Sequence, residues 1–318
     1  MIETLQSLRF IFVMMIFMSH FAYRNIRAFD AGGDCGVAFF FLLSGFVCSL
    51  AYGAKISSGS FRYGSFLWKR LKKLYPLHLL CLLFFLLVSH VPIDGKVLVN
   101  ALLLQSWVPD MEYYFACNSV SWFLSSLMFC YVMFPLLYRW LYRWLSWRLT
   151  IVIAMACVAV YWFTPADRIN SILYVNPLVR LIDFYWGMLL CHFSLQRKET
   201  FSGQWLEVVL AILLMLFLAA YPFADEKLRN APLYWLVLIP LIWVFAQQNG
   251  LVSRWLKTTP MLFLGSLTMP LFLTHQMMIG ILLRRLPEIP AVLMLSICIL
   301  VVLTISWTIQ IIFSKLIR

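Results

Sequence analysis

Apolar residues run through this chain in long blocks separated by short polar stretches. Ten blocks stand out, at residues 7–23, 36–52, 74–90, 120–138, 149–163, 174–193, 205–222, 232–247, 261–283 and 291–313. Each is of the order of 20 residues, the length a helix needs to cross the hydrocarbon of a bilayer. Runs such as "LLCLLFFLLV" and "VLMLSICILVVLTISW" show no alternation of apolar and polar positions, which excludes a transmembrane barrel. The pattern predicts an all-α fold, a polytopic membrane bundle of about ten helices. An eleventh apolar stretch at 97–107 is too short to cross and reads as a re-entrant or interfacial piece on the outer side.

Composition agrees: 63% of residues are hydrophobic and 12% charged, with a mean hydropathy of +0.88. No polar stretch is long enough for a separate soluble domain, so residues 1–318 read as one membrane domain. The first block holds Arg9 and His20 and has no small-x-small site, so it reads as a retained helix and not a cleaved leader. The net charge of +12 does not call for nucleic acid. With the N-terminus inside, most of the 25 basic residues fall in inner loops, and nine of the thirteen acids fall outside. That bias predicts both termini in the cytosol.

The eight cysteines show no metal-ligand spacing, so no metal is expected. Cys35 and Cys117, both placed in outer loops, are a candidate disulfide pair.

Charge inside the apolar blocks is where chemistry is sought, because an ionisable group in lipid is costly without a partner or a task. Arg9 and His20 are eleven residues apart, about 20° from a common face and about 16 Å along the axis. Arg24 and Arg27 follow the same block. In the sixth block Asn176, Arg180 and Asp183 fall in one stripe, as either a structural ion pair or a substrate-facing line. In the ninth, Thr268 and His275 share a face and Pro270 can open a kink between them. The stretch between the second and third blocks reads as a loop and contains Lys69, Arg70, Lys72 and Lys73, followed by Tyr75. It has no acid, so it is either a topology signal facing lipid headgroups or a dock for phosphate.

Six segments, taken in order, resemble the membrane acyltransferase-3 family: "LQSLRFIFVMMIFMSHF", "GVAFFFLLSGFVCSLAYG", "WKRLKKLYPLH", "NSVSWFLSSLMFCYVMFPLL", "NPLVRLIDFYWGMLL" and "LGSLTMPLFLTHQ". The resemblance spans nearly the whole chain. It implies that Arg9 and His20 are the catalytic pair, that Arg70 opens the basic donor motif, and that Trp122, Arg180 and His275 line a cavity. The chain departs from the family in carrying Lys73 in place of a second arginine. It also has Ala38 and Leu127 where many relatives have acids, leaving Ser125 and Ser126 as the nearest polar groups.

The expected activity is O-acyl transfer in a bacterial inner (plasma) membrane, with no bound cofactor. The donor is acyl-CoA, commonly acetyl-CoA, and the acceptor is a glycan or lipid-linked sugar of the envelope. The other partners are membrane lipids. An exporter of a small molecule or lipid-linked saccharide would share the intramembrane charges and is the competing class.

Overall fold

The computed structural model describes residues 2–21, 29–144, 147–196, 204–224, 229 and 234–316, so Arg24 and Arg27 lie outside the described residues. Fourteen helices account for the described elements used below. The first seven are α1 (Glu3–Phe21), α2 (Gly33–Ser57), α3 (Tyr63–Ser89), α4 (Gly95–Ala101), α5 (Met111–Tyr114), α6 (Trp122–Trp144) and α7 (Trp147–Phe163). The rest are α8 (Pro177–Gln196), α9 (Gln204–Ala220), α10 (Trp235–Ala246), α11 (Leu251–Leu256), α12 (Thr259–Ser266), α13 (Thr268–Arg285) and α14 (Ala291–Leu316). No strand occurs among the described residues.

Each expected apolar block contains a helix among its described residues. Seven helices are long and apolar enough to cross a membrane, and the bent pair α12–α13 makes an eighth if counted as one span. The α7 and α10 segments are shorter apolar helices. At 12 residues α10 rises only about 18 Å, against roughly 30 Å of hydrocarbon.

The centre of the bundle is built where glycine lets backbones touch. A Cβ on Gly45 of α2 would fall 1.9 Å from the Phe184 carbonyl oxygen, and one on Gly187 of α8 would fall 1.8 Å from that of Leu42. This is the small-residue contact on which membrane helices associate, since lipid gives no hydrophobic drive between them. α1 and α6 pack around this pair. On the outside, Leu80, Leu87, Phe163, Leu216 and Leu300 are exposed, a surface far too apolar for water and suited to acyl chains.

Three expectations are corrected. The basic stretch before residue 74 is not a loop: α2 continues to Ser57 and α3 begins at Tyr63. Lys, Arg and Leu are good helix formers, and it is their charge that delays the apolar run. Pro270 does not kink the chain between Thr268 and His275. The 60° bend falls ahead of Thr268, because Pro270 has no N–H to give the Ser266 carbonyl four residues back. Cys35 lies buried inside α2, and it and Cys117 are both free thiols. The 97–107 stretch fits its expectation of not crossing. It forms the seven-residue α4 and a single turn at Gln105–Trp107, pinned to the bundle by Asn100, Gln105 and Ser106 through Ser121 and the Trp122 carbonyl.

Candidate active site

Antiparallel α1 and α2 bring Arg9 to the end of the bundle where α2 closes and α3 begins. There Arg9, Arg70 and Lys73 line one cavity of about 1000 Å³, counting its open mouth, together with Ser44, Tyr131 and Thr268. Arg70 and Lys73 are three residues apart on α3 and share a face. Lys69 and Lys72 form the neighbouring face, are exposed, and are not part of the cavity wall. Tyr75 is half-buried against His78 and also lies off that wall.

The Arg70 guanidinium is held among rings, with its carbon 5.0 Å from the Tyr131 centroid, 5.3 Å from Phe66 and 5.6 Å from Tyr52. Among the described residues its polar partner is the Cys48 sulfur at 3.5 Å. No carboxylate pairs with Arg9, Arg70 or Lys73 among the described residues. Leu127 stands on the cavity wall where the family resemblance leads one to look for an acid, so the wall carries three cations and no described anion. Such a cavity is built to take a negatively charged ligand.

Three rings, Phe40, Phe123 and Phe272, close the inner part of the cavity, with centroids 5.0 to 6.5 Å apart. Beyond Phe272, one turn along α13, is His275. It is fully buried, and its Nε2 lies 3.3 Å from Nδ1 of His20. The hydrogen bonds fix the tautomers. His275 Nδ1 faces the Phe272 and Leu271 carbonyl oxygens at 2.7 and 3.2 Å, so it carries the proton and Nε2 is an acceptor. His20 Nδ1 faces the Ile16 carbonyl oxygen at 2.8 Å as well as that acceptor. Both neighbours require a donor, so His20 holds its proton on Nδ1, and its Nε2 is an acceptor with no hydrogen-bond donor among the described residues. Next to it, Ser19 donates to Asp30 (2.7 Å), which Arg229 also binds (2.6 Å).

The remaining predicted residues are drawn into the framework. Arg180 and Asp183 are 1% exposed and paired at 2.7 Å. Arg180 donates further to the carbonyl oxygens of Leu173 and Tyr174, and Asp183 accepts from Trp235 and Tyr234. Asn176 accepts from the Leu178 backbone N–H and caps α8 ahead of Pro177. Trp122 is buried against Tyr174, and the Ser125 hydroxyl accepts from the Ser106 N–H. None of these five lines the cationic cavity; Thr268 does. Sequence reasoning missed Tyr52 and Tyr131, because the rings around Arg70 come from α2 and α6 and leave no local spacing to read. Among the described residues no group of three metal-ligating side chains occurs.

A family model described as "Acyltransferase domain" matches residues 2–311. Acyltransferase MdmB of Streptomyces mycarofaciens is 29% identical over 225 residues, covering 59% of this chain and 56% of its own length. The chain thus spans little more than half of that relative. No solved structure matches it. With the match running through both the cationic cavity and the histidine pair, the chain belongs to the acyltransferase-3 family.

Proposed function

We propose that this protein is a membrane O-acyltransferase that moves an acyl group, acetyl in the simplest case, from cytosolic acyl-CoA to a hydroxyl of an envelope glycan or lipid-linked sugar. The observation that carries the reading is the pairing of an anion-seeking cavity with a histidine whose Nε2 is free to take a proton. The reading takes ten spans in a bacterial plasma membrane, counting the bent pair α12–α13 as one and the short α7 and α10 as two more, with both termini in the cytosol, so the cavity opens inward and His20 lies in the outer half.

On this reading the CoA phosphates meet Arg9, Arg70 and Lys73, whose charges no carboxylate among the described residues neutralises. The pantetheine arm runs toward His20, about 16 Å further along α1 at 1.5 Å per residue. Phe40, Phe123 and Phe272 must part for it, which keeps the route shut when no donor is bound. At the far end the acceptor hydroxyl gives its proton to His20 Nε2 as its oxygen attacks the thioester carbon. The tetrahedral intermediate collapses, the C–S bond breaks, and the CoA thiolate leaves, taking the proton from His20 Nε2 and restoring the neutral base. His275 accepts from His20 Nδ1–H, so it holds the ring in the base-competent tautomer and disperses the charge that forms.

The test is transfer of radiolabel from acetyl-CoA to crude envelope glycans by the purified protein, with His20→Gln alongside. Glutamine keeps a hydrogen bond but cannot serve as base, so turnover per folded molecule should drop roughly 10²-fold or more. Near-wild-type turnover in that variant would falsify the catalytic role of His20. Activity that persists without any acyl-CoA favours the exporter.

A further inference from the structure

A second cavity opens at the opposite end of α3 and α13. It holds about 620 Å³, counting its mouth. Phe84 and Phe85 of α3 form an apolar wall, and Asn118, Gln276 and Arg284 form a polar one. The family reading assigns nothing to it.

Its polar groups are unfinished. Asn118 is 1% exposed and donates through Nδ2 to the Leu273 carbonyl oxygen at 2.8 Å, but its Oδ1 has no partner. A buried amide oxygen without a donor is uncommon, and at a cavity wall it is a place where a water or a ligand hydroxyl can complete the set. Ser119 donates to Gln276 Oε1, which leaves the Gln276 amide nitrogen with no protein acceptor among the described residues. Arg284 is exposed at the rim and pairs with no carboxylate among the described residues. The three positions ask in turn for a hydroxyl that donates, an oxygen that accepts, and an anion. On the apolar side, Leu80, Leu83 and Leu87 of α3 are exposed, continuing the apolar surface of the helix that carries Phe84 and Phe85.

Position matters as much as chemistry. Gln276 directly follows His275 in α13, and Asn118 is bonded to the turn just before it. The cavity therefore flanks the histidine pair at its own depth. Cys117 also lies on the wall; burial pushes its thiol up to about 11, so it stays protonated and makes a poor acyl carrier.

We infer that this cavity is the acceptor subsite and that it takes a saccharide joined through phosphate to a lipid, entering sideways from the bilayer between α3 and α13. The sugar hydroxyls meet Asn118 Oδ1 and the Gln276 amide, the phosphate meets Arg284, and the lipid chain lies along α3. The word acceptor rests on the acyl-transfer reading; the binding site does not.

The experiment therefore measures binding with no acyl donor present. The full chain in phosphatidylcholine nanodiscs is titrated with a fluorescent polyprenyl-phosphate-linked hexose. Wild type should bind it, and Arg284→Gln and Gln276→Ala should each weaken binding tenfold or more while leaving the melting temperature unchanged. Affinity unchanged in both variants overturns the site. Displacement of the probe by phosphatidylglycerol as effectively as by unlabelled hexose lipid overturns the saccharide, since the cavity would then be a general anionic-lipid groove. Displacement by water-soluble hexose phosphate with equal affinity overturns the lipid. A protein that binds the probe through these residues yet transfers no acyl group upholds the site and refutes the activity instead.

Discussion

Two polar clusters sit inside this apolar bundle, and they differ in what they leave unsatisfied. At Arg180 and Asp183 the guanidinium and carboxylate are paired, their partners among the described residues are all internal, and both side chains are sealed from solvent. Around Arg9, Arg70 and His20 the opposite holds. Three cations face a cavity with no described carboxylate, and a histidine is oriented through one nitrogen, the other having no hydrogen-bond donor among the described residues. Both clusters satisfy the rule that charge in a membrane must be accounted for. The first is accounted for by the protein itself. The second has no such countercharge among the described residues, and on the proposed reading a bound donor supplies it. An intramembrane charge is thus a pointer to function in proportion to the partners it lacks.

That contrast is broken most sharply at Asp183. Asp183→Ala leaves Arg180 buried without its countercharge, which for a buried pair costs about 3–5 kcal/mol. The expected result is a large drop in melting temperature or loss of folded protein in detergent. A folded Asp183→Ala protein with normal stability and no acyl transfer would move this pair into the active site. His20→Gln is the mirror experiment: the melting temperature should hold while turnover falls roughly 10²-fold. Measuring both quantities on both variants separates the clusters, because each reading predicts a change in only one of them.

How far these roles could be read from sequence follows from the same distinction. The ten helical blocks were legible because apolar runs of spanning length have few alternatives. Arg9 and His20 were legible as a line along one helix, since their spacing fixes their relative face. What spacing cannot give is the partner across the bundle. His275 was visible as a second intramembrane histidine, but its 3.3 Å approach to His20 depends on how α1 packs against α13. Arg180 and Asp183 lie on the right face for a pair, yet Trp235 and Tyr234, which complete their shell, are about fifty residues away. The basic stretch misled in a different way. Read as a loop, its four cations count equally; wound into α3, Arg70 and Lys73 face the cavity and Lys69 and Lys72 do not.

That division of the stretch gives the next, smaller effect. Arg70→Ala removes a guanidinium whose charge faces the cavity, and losing a charge-assisted hydrogen bond to a phosphate costs about 1.5–3 kcal/mol, tenfold or more in affinity. Lys69→Ala, on the exposed neighbouring face, should change CoA affinity little. Equilibrium binding of CoA in detergent reads both. Equal losses at the two positions would mean that the stretch acts as a diffuse basic patch and that the cavity does not select among its residues.

The smallest effect tests the boundary between the clusters. Asn176 lies in one stripe with Arg180 and Asp183, and by sequence it could face a substrate. In the structure its Oδ1 accepts from the Leu178 N–H at 2.9 Å, and its own carbonyl oxygen accepts from the Arg180 N–H at 3.0 Å. Pro177 occupies the first helical position, where a missing N–H does no harm. The side chain is thus committed to starting α8. Asn176→Ala should lower stability by about 1 kcal/mol, the usual cost of losing an N-cap, and leave turnover per folded molecule unchanged. Asn176→Asp keeps the capping oxygen and should restore the melting temperature. If turnover instead fell in both variants while the melting temperature stayed put, the amide nitrogen would be touching substrate, and the line between framework and site would have to be redrawn one helical turn closer to Arg180.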